Sequence, residues 1–352
     1  MAVGFPTKAN WAAGDILTAA QMDDLAGTVN TLSPVGQANG STLVANSANA
    51  SGLGWNQNFA AGKNAIINGD FGIWQRGTTF TNPGNGGYTA DRFFNSQDGT
   101  GTVTCTQQTF TAGTAPIAGY EGTYFQRTSL TTLGTTTYFQ PTQRIENVRT
   151  FAGQTITISF WAKADSARTS IIVLIQNFGS GGSSATTQTA PVTYSTAWTR
   201  YTATFTVGNL SGKTIGTGSS LEIGFRTTAA AGSILDIWGV QVEAGSVATA
   251  FQTATGTLQG ELAACQRYYV QNSQVYWYGG AISTNIYGQN ISFPVTMRTS
   301  PTITMINLSA GNFPATASAG LNINTFNFTQ ARTASGTGSG SFGDSFTASA
   351  EL

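Results

Sequence analysis

From residue 64 to about residue 254 one pattern recurs: short runs of apolar residues alternating with Thr and Ser, separated by loops of Gly, Ser, Asn and Thr. In "TITISFWAKA", Ile156, Ile158 and Phe160 fall on one side and Thr155, Thr157 and Ser159 on the other, the period of a half-buried antiparallel strand. "YTATFTV" places Tyr201, Ala203, Phe205 and Val207 on one face in the same way. "SIIVLIQNF" (170–178) is apolar throughout, as a central strand covered on both faces would be. "LEIGF" and "SILDIWGVQVEAG" continue the series, with turn-rich loops such as "GSGGSSATT" and "NLSGKTIGTG" between strands. Many short strands in one unit of about 190 residues predict an all-β fold built around a two-sheet sandwich, a jelly roll.

Charge narrows the function. Only 9% of residues are Asp, Glu, Lys or Arg, against roughly 25% in an average soluble domain, so polarity resides in neutral hydroxyls and amides. The net charge is zero and there is no basic run, which argues against nucleic acid as a partner. No apolar stretch reaches the roughly 20 residues of a membrane span, so membrane insertion is not expected. The start "MAVGFPTKAN" lacks a signal-peptide pattern, which predicts synthesis in the cytoplasm. Cys105 and Cys265 lie far apart, fit no CxxC pattern and read as buried thiols. The chain has no histidine. That removes Ser-His-Asp and Cys-His nucleophile systems and the commonest zinc sites, leaving only carboxylate chemistry to an enzyme.

The ends are organised differently. In "LTAAQMDDLAGTVNTLSP", Thr18 caps a helix, Gln21 completes a capping box, Leu17 and Met22 form a hydrophobic staple, and Pro34 stops the helix. Met22, Leu25, Val29 and Leu32 are spaced 3, 4 and 3, the rhythm of a coiled-coil seam. Residues 1–34 therefore read either as an amphipathic helix lying on the chain's own sheet or as an anchor packing against copies of itself or a larger assembly. Residues 35–63 read as an extended connector with no core of their own. After the sandwich (64–254), Leu258, Leu262, Cys265 and Tyr269 fall at helical intervals and mark a helical bridge over 255–270. A C-terminal β domain (271–352) follows, with strands in "QVYWYGG", "NISFPVTM", "TITMINL", "LNINTFNF" and "SFTASAEL". Pro294 falls on the polar side of its run, so that strand is expected at an edge or with the proline facing solvent.

In so uncharged a chain, "NAIINGDFGIWQRG" (64–77) and "YTADRFF" stand out, because Asp70, Arg76, Asp91 and Arg92 flank apolar runs. They could belong to an active site, a ligand site or the locks of the fold. Arg76, Arg92 and Glu243 are expected to form charge-assisted bonds that pin strand ends, since half-buried charges need partners.

"NAIINGDFGIWQRGTTF", "YTADRFF", "ILDIWGVQVEAGSVATAF", "ACQRYYVQ" and "ISFPVTMRTSPTIT" resemble, in that order, the fibre and receptor-binding proteins of tailed bacteriophages. "ANWAAGDILTAAQMDDL" and "STLVANSANASGLGWNQN" are similar to the virion-attachment end of such fibres. The resemblance implies an elongated homotrimer on the virion surface, with residues 1–34 contacting other virion proteins and Met22, Leu25, Val29 and Leu32 forming the trimer seam. It implies a carbohydrate-binding jelly roll in the middle and host surface polysaccharide as the partner. In such jelly rolls the first and last strands are neighbours and a structural calcium often sits near the first. "NGDF" then begins the first strand, and Asp70 and Asp236 are the carboxylates placed to supply oxygen ligands. The alternative is that Asp70 caps a turn and Asp236 accepts backbone or arginine hydrogen bonds.

Sugar rings stack on exposed aromatic faces while neutral amides and hydroxyls read their hydroxyl groups. The candidates are Trp161, Tyr194 and Trp198 near strand ends of the sandwich, and Tyr276, Trp277, Tyr278 and Tyr287 in the C-terminal domain. Three functions compete: a non-catalytic glycan-binding phage fibre or spike, a secreted carbohydrate-binding adhesin, and a polysaccharide depolymerase. The last needs two carboxyl groups about 5 Å or about 6.5–9.5 Å apart, for which Asp98 with Glu121 is a candidate pair.

Overall fold

The computed structural model describes residues 41–45, 53–57, 63–117, 120–313 and 319–352. The predicted N-terminal helix, with Met22, Leu25, Val29 and Leu32, lies outside the described residues. Two units emerge. The first takes in residues 1–60 with 247–250, and the second holds all the rest. Within the first, the stretch read as an extended connector contains a hairpin, β1 (Ser41–Ala45) and β2 (Leu53–Gln57), with Leu43 opposite Trp55. "STLVA" and "LGWNQ" pair antiparallel over all five residues of each.

The sandwich of the second unit has two antiparallel sheets. One runs β10 (Thr186–Tyr194), β9 (Arg168–Asn177), β12 (Ser220–Phe225) and β7 (Tyr138–Ile145). The short β13 (Thr227–Thr228) pairs with the start of β7, and β4 (Phe93–Gln97) also pairs with β7. The other sheet runs β11 (Thr199–Thr206), β8 (Thr155–Ala164), β14 (Ile234–Ala244), β6 (Tyr124–Thr132), β5 (Thr102–Thr109) and β3 (Thr79–Thr81). From β7 to β14 the chain crosses repeatedly between sheets, so nearest neighbours in a sheet are often distant in sequence.

The alternation read from sequence sets the core. Ile156, Ile158 and Phe160 of β8 are fully buried, as are Leu221, Ile223 and Phe225 of β12 in the facing sheet. The Phe160 and Phe225 rings meet across the gap with centroids 4.5 Å apart. Tyr201, Ala203, Phe205 and Val207 pack into the same core. The apolar run of β9 is central in its sheet, with Ile172 and Leu174 in the core, but Ile171 and Ile175 on the outer face are only half-buried.

"NGDF" is a turn rather than the start of a strand. Asn68 and Phe71 adopt left-handed backbone angles (φ 60° and 55°), and the Asn68 amide donates to the carbonyls of Ile73 and Asp91. The expected neighbourhood with the last strand is nevertheless present. Ala65 donates to Val242 and Val240 donates to Gly69, so residues 65–69 lie along β14 without becoming a ladder. Gly69 is required there, because a Cβ would sit 2.2 Å from the Val240 carbonyl oxygen.

The bridge is helix α1 (Leu258–Gln266), capped by the Thr257 hydroxyl accepting from Gly260 N–H. Its spacing was legible but its face is different: Glu261 and Cys265 are buried and Leu258 is 70% exposed. The C-terminal domain pairs β15 (Tyr269–Ala281), β20 (Gly338–Ser349) and β17 (Thr302–Gly311) in one sheet. The second sheet holds β16 (Ile286–Ser292), β19 (Asn327–Thr333) and β18 (Ala319–Leu321). Pro294 is exposed just past the end of β16.

Candidate functional site

A cleft of about 440 Å³ opens at one edge of the β14–β6 side of the sandwich, lined by Asp70, Gly72, residues 120–124 and Leu258. Three elements build it. The left-handed turn at Asn68–Phe71 presents Asp70, and the loop between β5 and β6 brings Tyr120 and Glu121. The N-terminal turn of α1 contributes Leu258 as an exposed apolar lip. Glu261 fastens the helix to the turn: its carboxylate accepts from Asn68 N–H (2.7 Å), Thr255 N–H (2.7 Å) and the Thr255 hydroxyl (2.9 Å). Burial raises the Glu261 carboxyl above its ordinary range, and those three donors partly offset it.

The cleft floor combines an acceptor with aromatic surface. The Tyr120 hydroxyl donates to Asp70 Oδ2 at 3.1 Å, and Gly72 N–H donates to Oδ1 at 3.3 Å. Burial pushes the Asp70 carboxyl up despite both bonds, and burial beside Asp70 pushes the Tyr120 hydroxyl up as well. Glu121 is exposed and accepts from Gly113 N–H at 2.7 Å. Behind the wall lies Trp238, fully buried, with Tyr120, Phe251, Trp161 and Phe110 rings at 5.5, 5.1, 5.6 and 5.9 Å. Gly122 passes so close over it that a Cβ would sit 2.7 Å from Trp238 Nε1. Residue 122 must therefore be glycine for the loop to reach this position. The arrangement is partly apolar and supplies carboxylate acceptors, which suits a polyhydroxylated ligand that donates from hydroxyls and stacks on ring faces.

Residues 114–217 match the family described as Carbohydrate binding domain. That span contains the loop Tyr120–Tyr124 and strands β6 to β11 of the sandwich. A comparison with curated proteins found no match. Among solved structures, the enzymatically active domain of tailspike protein 4 from bacteriophage CBA120 is 19% identical, with 52% of this chain and 22% of that chain covered and a TM-score of 0.34. The chain thus spans under a quarter of that tailspike domain. A structure described as CBM4 is 23% identical, covering 51% of this chain and 99% of its own, with a TM-score of 0.32. TmCBM61 in complex with β-1,4-galactotriose is 13% identical, covering 52% and 99%, with a TM-score of 0.31.

The residues anticipated from sequence divide sharply. Trp161 and Tyr194 are not available to a ligand. Tyr194 is fully buried because Ala190, Val192 and Tyr194 are the core side of β10, and it packs on Tyr201 and Phe160 at 5.4 and 6.4 Å. Trp161 is on the outer face of β8, but Phe251 and Trp238 cover it. Trp198 is half-exposed, resting on Phe110 and Phe125, with Lys163 5.3 Å above its ring. Trp277 and Tyr287 are half-buried in a second aromatic core with Phe313 and Phe342. Only Tyr276 and Tyr278 are exposed.

Asp70 and Asp236 do not act as a pair. Asp236 is held by Arg127 through two bonds of 2.7 and 2.8 Å, with Lys163 at 3.6 Å. A carboxylate already matched by two cations does not fit a calcium ion. Asp70 has different partners, and no cluster of three acidic or cysteine side chains placed to hold a metal occurs among the described residues. The hydrogen-bonding alternative accounts for both. Asp98 and Glu121 likewise share no partner: Asp98 is tied to Thr137 and Tyr138 N–H groups and the Thr137 hydroxyl. Tyr120, Tyr124 and Leu258 were not anticipated. Their signal, the short "YEGTY" with a glycine between aromatics, is legible only when Trp238 is known to lie beneath it.

Asp70 gives a pH signature. Its folded pKa is raised above the unfolded value of about 3.9. Its contribution to stability is therefore complete below the unfolded pKa and is lost as pH rises through the folded one. Asp70→Asn is expected to leave the fold intact, to melt no lower than wild type near neutral pH, and to flatten that part of the curve. A variant whose melting temperature follows wild type point for point between about pH 3 and pH 7 would contradict the assignment.

Proposed function

We propose that the protein binds a neutral cell-surface glycan, without cleaving it, through the cleft formed by Asp70, Tyr120, Glu121 and Tyr124. The observation that carries this reading is the coincidence of two independent facts. The loop Tyr120–Tyr124 that forms one wall of the cleft lies inside the span matching a carbohydrate binding domain, and together with Asp70 from outside that span it joins tyrosine surface to carboxylate acceptors. Exposed Glu121 and the Asp70 carboxylate disfavour acidic polymers, so a neutral polysaccharide is the expected class. The ordered phage-fibre motifs support assigning the binding to host adsorption by a fibre or spike on the virion surface. In that setting three copies, joined through Met22, Leu25, Val29 and Leu32, would turn weak sites into useful avidity of ~10²–10⁴.

Titration calorimetry with neutral oligosaccharides tests it. A single site is expected near the millimolar range, about −4 kcal/mol. Tyr124→Ala should weaken it about tenfold, the loss of one stacked ring. Unchanged affinity in Tyr124→Ala and Asp70→Asn together would refute the cleft as the site. One observation favours a second reading: Asp70, with its raised pKa, and Glu121 line the same cleft, as an acid and a second carboxylate do in glycosidases. Release of reducing ends from a bound polysaccharide, abolished by Asp70→Asn, would make the protein a depolymerase.

A further inference from the structure

The C-terminal domain has a surface of unusual chemistry. From Tyr268 to Leu352 the charged residues are Arg298, Arg332, Asp344 and Glu351, and each is engaged internally. Arg332 and Asp344 are buried against one another, with side-chain exposures of 2% and 0%. Glu351 takes Arg76 and Arg92, and Arg298 donates to the carbonyls of Ala350 and Glu351. Among the described residues the solvent face of this domain is therefore free of unpaired charge, and is made of hydroxyls, amides, glycine, a few exposed apolar side chains and aromatic rings.

Two of those rings stand together. Tyr276 and Tyr278 occupy successive outward positions of β15, 39% and 71% exposed, with centroids 5.9 Å apart and planes within 24°. Val275 and Trp277 point the other way. Trp277 lies nearly parallel to Phe342 at 5.4 Å and on Tyr287 at 4.9 Å, which fixes the strand. Tyr276 stands opposite Gly343 and Tyr278 opposite Ser341, residues too short to cover either ring. The Gln289 amide donates to the Tyr276 carbonyl and ties β16 to the same edge. The result is an aromatic step on a sheet face that, among the described residues, offers no basic group for phosphate or acidic polymer and no acidic group for a cationic one.

We propose that Tyr276 and Tyr278 form a second glycan-contact platform, separate from the cleft, that stacks pyranose rings of a neutral polysaccharide. Charge complementarity selects this occupant. A neutral polyhydroxylated chain loses little on meeting hydroxyl and glycine surface and gains ring stacking on the two tyrosines. Ile282, Ile286 and Ile306 are also exposed in this domain, so a second copy of the chain is the competing occupant, and the experiment separates the two.

The full chain is run in native gels containing, in turn, mixed-linkage β-glucan, galactan, dextran or mannan. Retardation by at least one is expected, and it should persist between about 0.01 and about 1 M salt, where the screening length falls from about 30 to about 3 Å. Tyr276→Ala with Tyr278→Ala should weaken retention about tenfold to a hundredfold, while Tyr278→Phe keeps it. In parallel, nitration of the wild type followed by mass spectrometry should modify Tyr276 and Tyr278 in free protein and spare them when the retarding polysaccharide is bound. The proposal is overturned if no polysaccharide retards the protein, or if the double variant binds as wild type. Protection that depends on protein concentration without polysaccharide would assign the face to a second copy. Loss of binding in Tyr124→Ala but not in the double variant would leave the cleft standing and remove the platform. The reverse result would do the opposite.

Discussion

Glu351→Ala is expected to cost about 3–5 kcal/mol of stability, the penalty for breaking a buried ion pair by removing one partner. Glu351 lies between two arginines from the sandwich. Its carboxylate accepts from Arg92 Nη1 and, at 2.7 Å, from Arg76 Nη2. Arg92 has 1% of its side chain exposed, lies 3.5 Å over the Tyr268 ring and donates also to the Arg144 carbonyl. Arg76 is flanked by the Tyr269 and Tyr88 rings at 3.6 and 5.0 Å and reaches Asp91 at 3.6 Å. Without Glu351, Arg92 stays buried with only a carbonyl and an aromatic face to offset its lost hydration. Domains are commonly stable by only about 5–15 kcal/mol, so the loss would be large. Urea unfolding measures it, and Glu351→Gln should recover part by keeping an acceptor. A change below about 1 kcal/mol would mean that the clamp does not form in solution.

That clamp also marks the limit of what the sequence could say. Arg76 and Arg92 were readable as locks because a half-buried guanidinium in so uncharged a chain must find a partner. The partner could not be read, since it lies 259 residues away from Arg92 and nothing local selects it. The strand faces of β8 and β11 followed directly from alternation. Alternation does not say whether the opposite face is covered, however, so Trp161, near the end of its strand, reads as a sugar contact. The cover comes from Trp238 and Phe251, both supplied by distant sequence. In α1 the interval was legible but the buried face was set by Glu261, whose three backbone and hydroxyl donors outweigh the burial of Leu258. Tyr194 was a local misreading, because Ala190 and Val192 already placed it on the core side.

Asp344→Ala is the second substitution with a large expected effect, again about 3–5 kcal/mol, and it acts on the C-terminal domain. Asp344 belongs to β20 in one three-stranded sheet, whereas Arg332 and Gln330 belong to β19 in the other. Arg332 Nη2 donates to Asp344 Oδ1 at 2.7 Å and Gln330 Nε2 donates to Oδ2 at 2.5 Å. The bridge is thus a polar tie between two sheets that otherwise meet over a small apolar cluster around Val270, Phe293, Met297, Phe328 and Phe346, with Val275, Ile291, Ile303 and Met305 only partly buried. A small domain with a thin core depends more on such a tie than a large one does. Removing the carboxylate takes the matching charge from Arg332 in the interior, so the sheets should loosen. Hydrogen exchange should rise in β15 and β20 well before it rises in β8 and β14. Replacing both partners, Arg332→Met with Asp344→Leu, should recover part of the lost stability, because apolar groups of similar volume remove both buried charges although Gln330 Nε2 loses its acceptor. If the double substitution is as damaging as the single one, the pair is needed to set the register of the sheets, and shape alone cannot replace it.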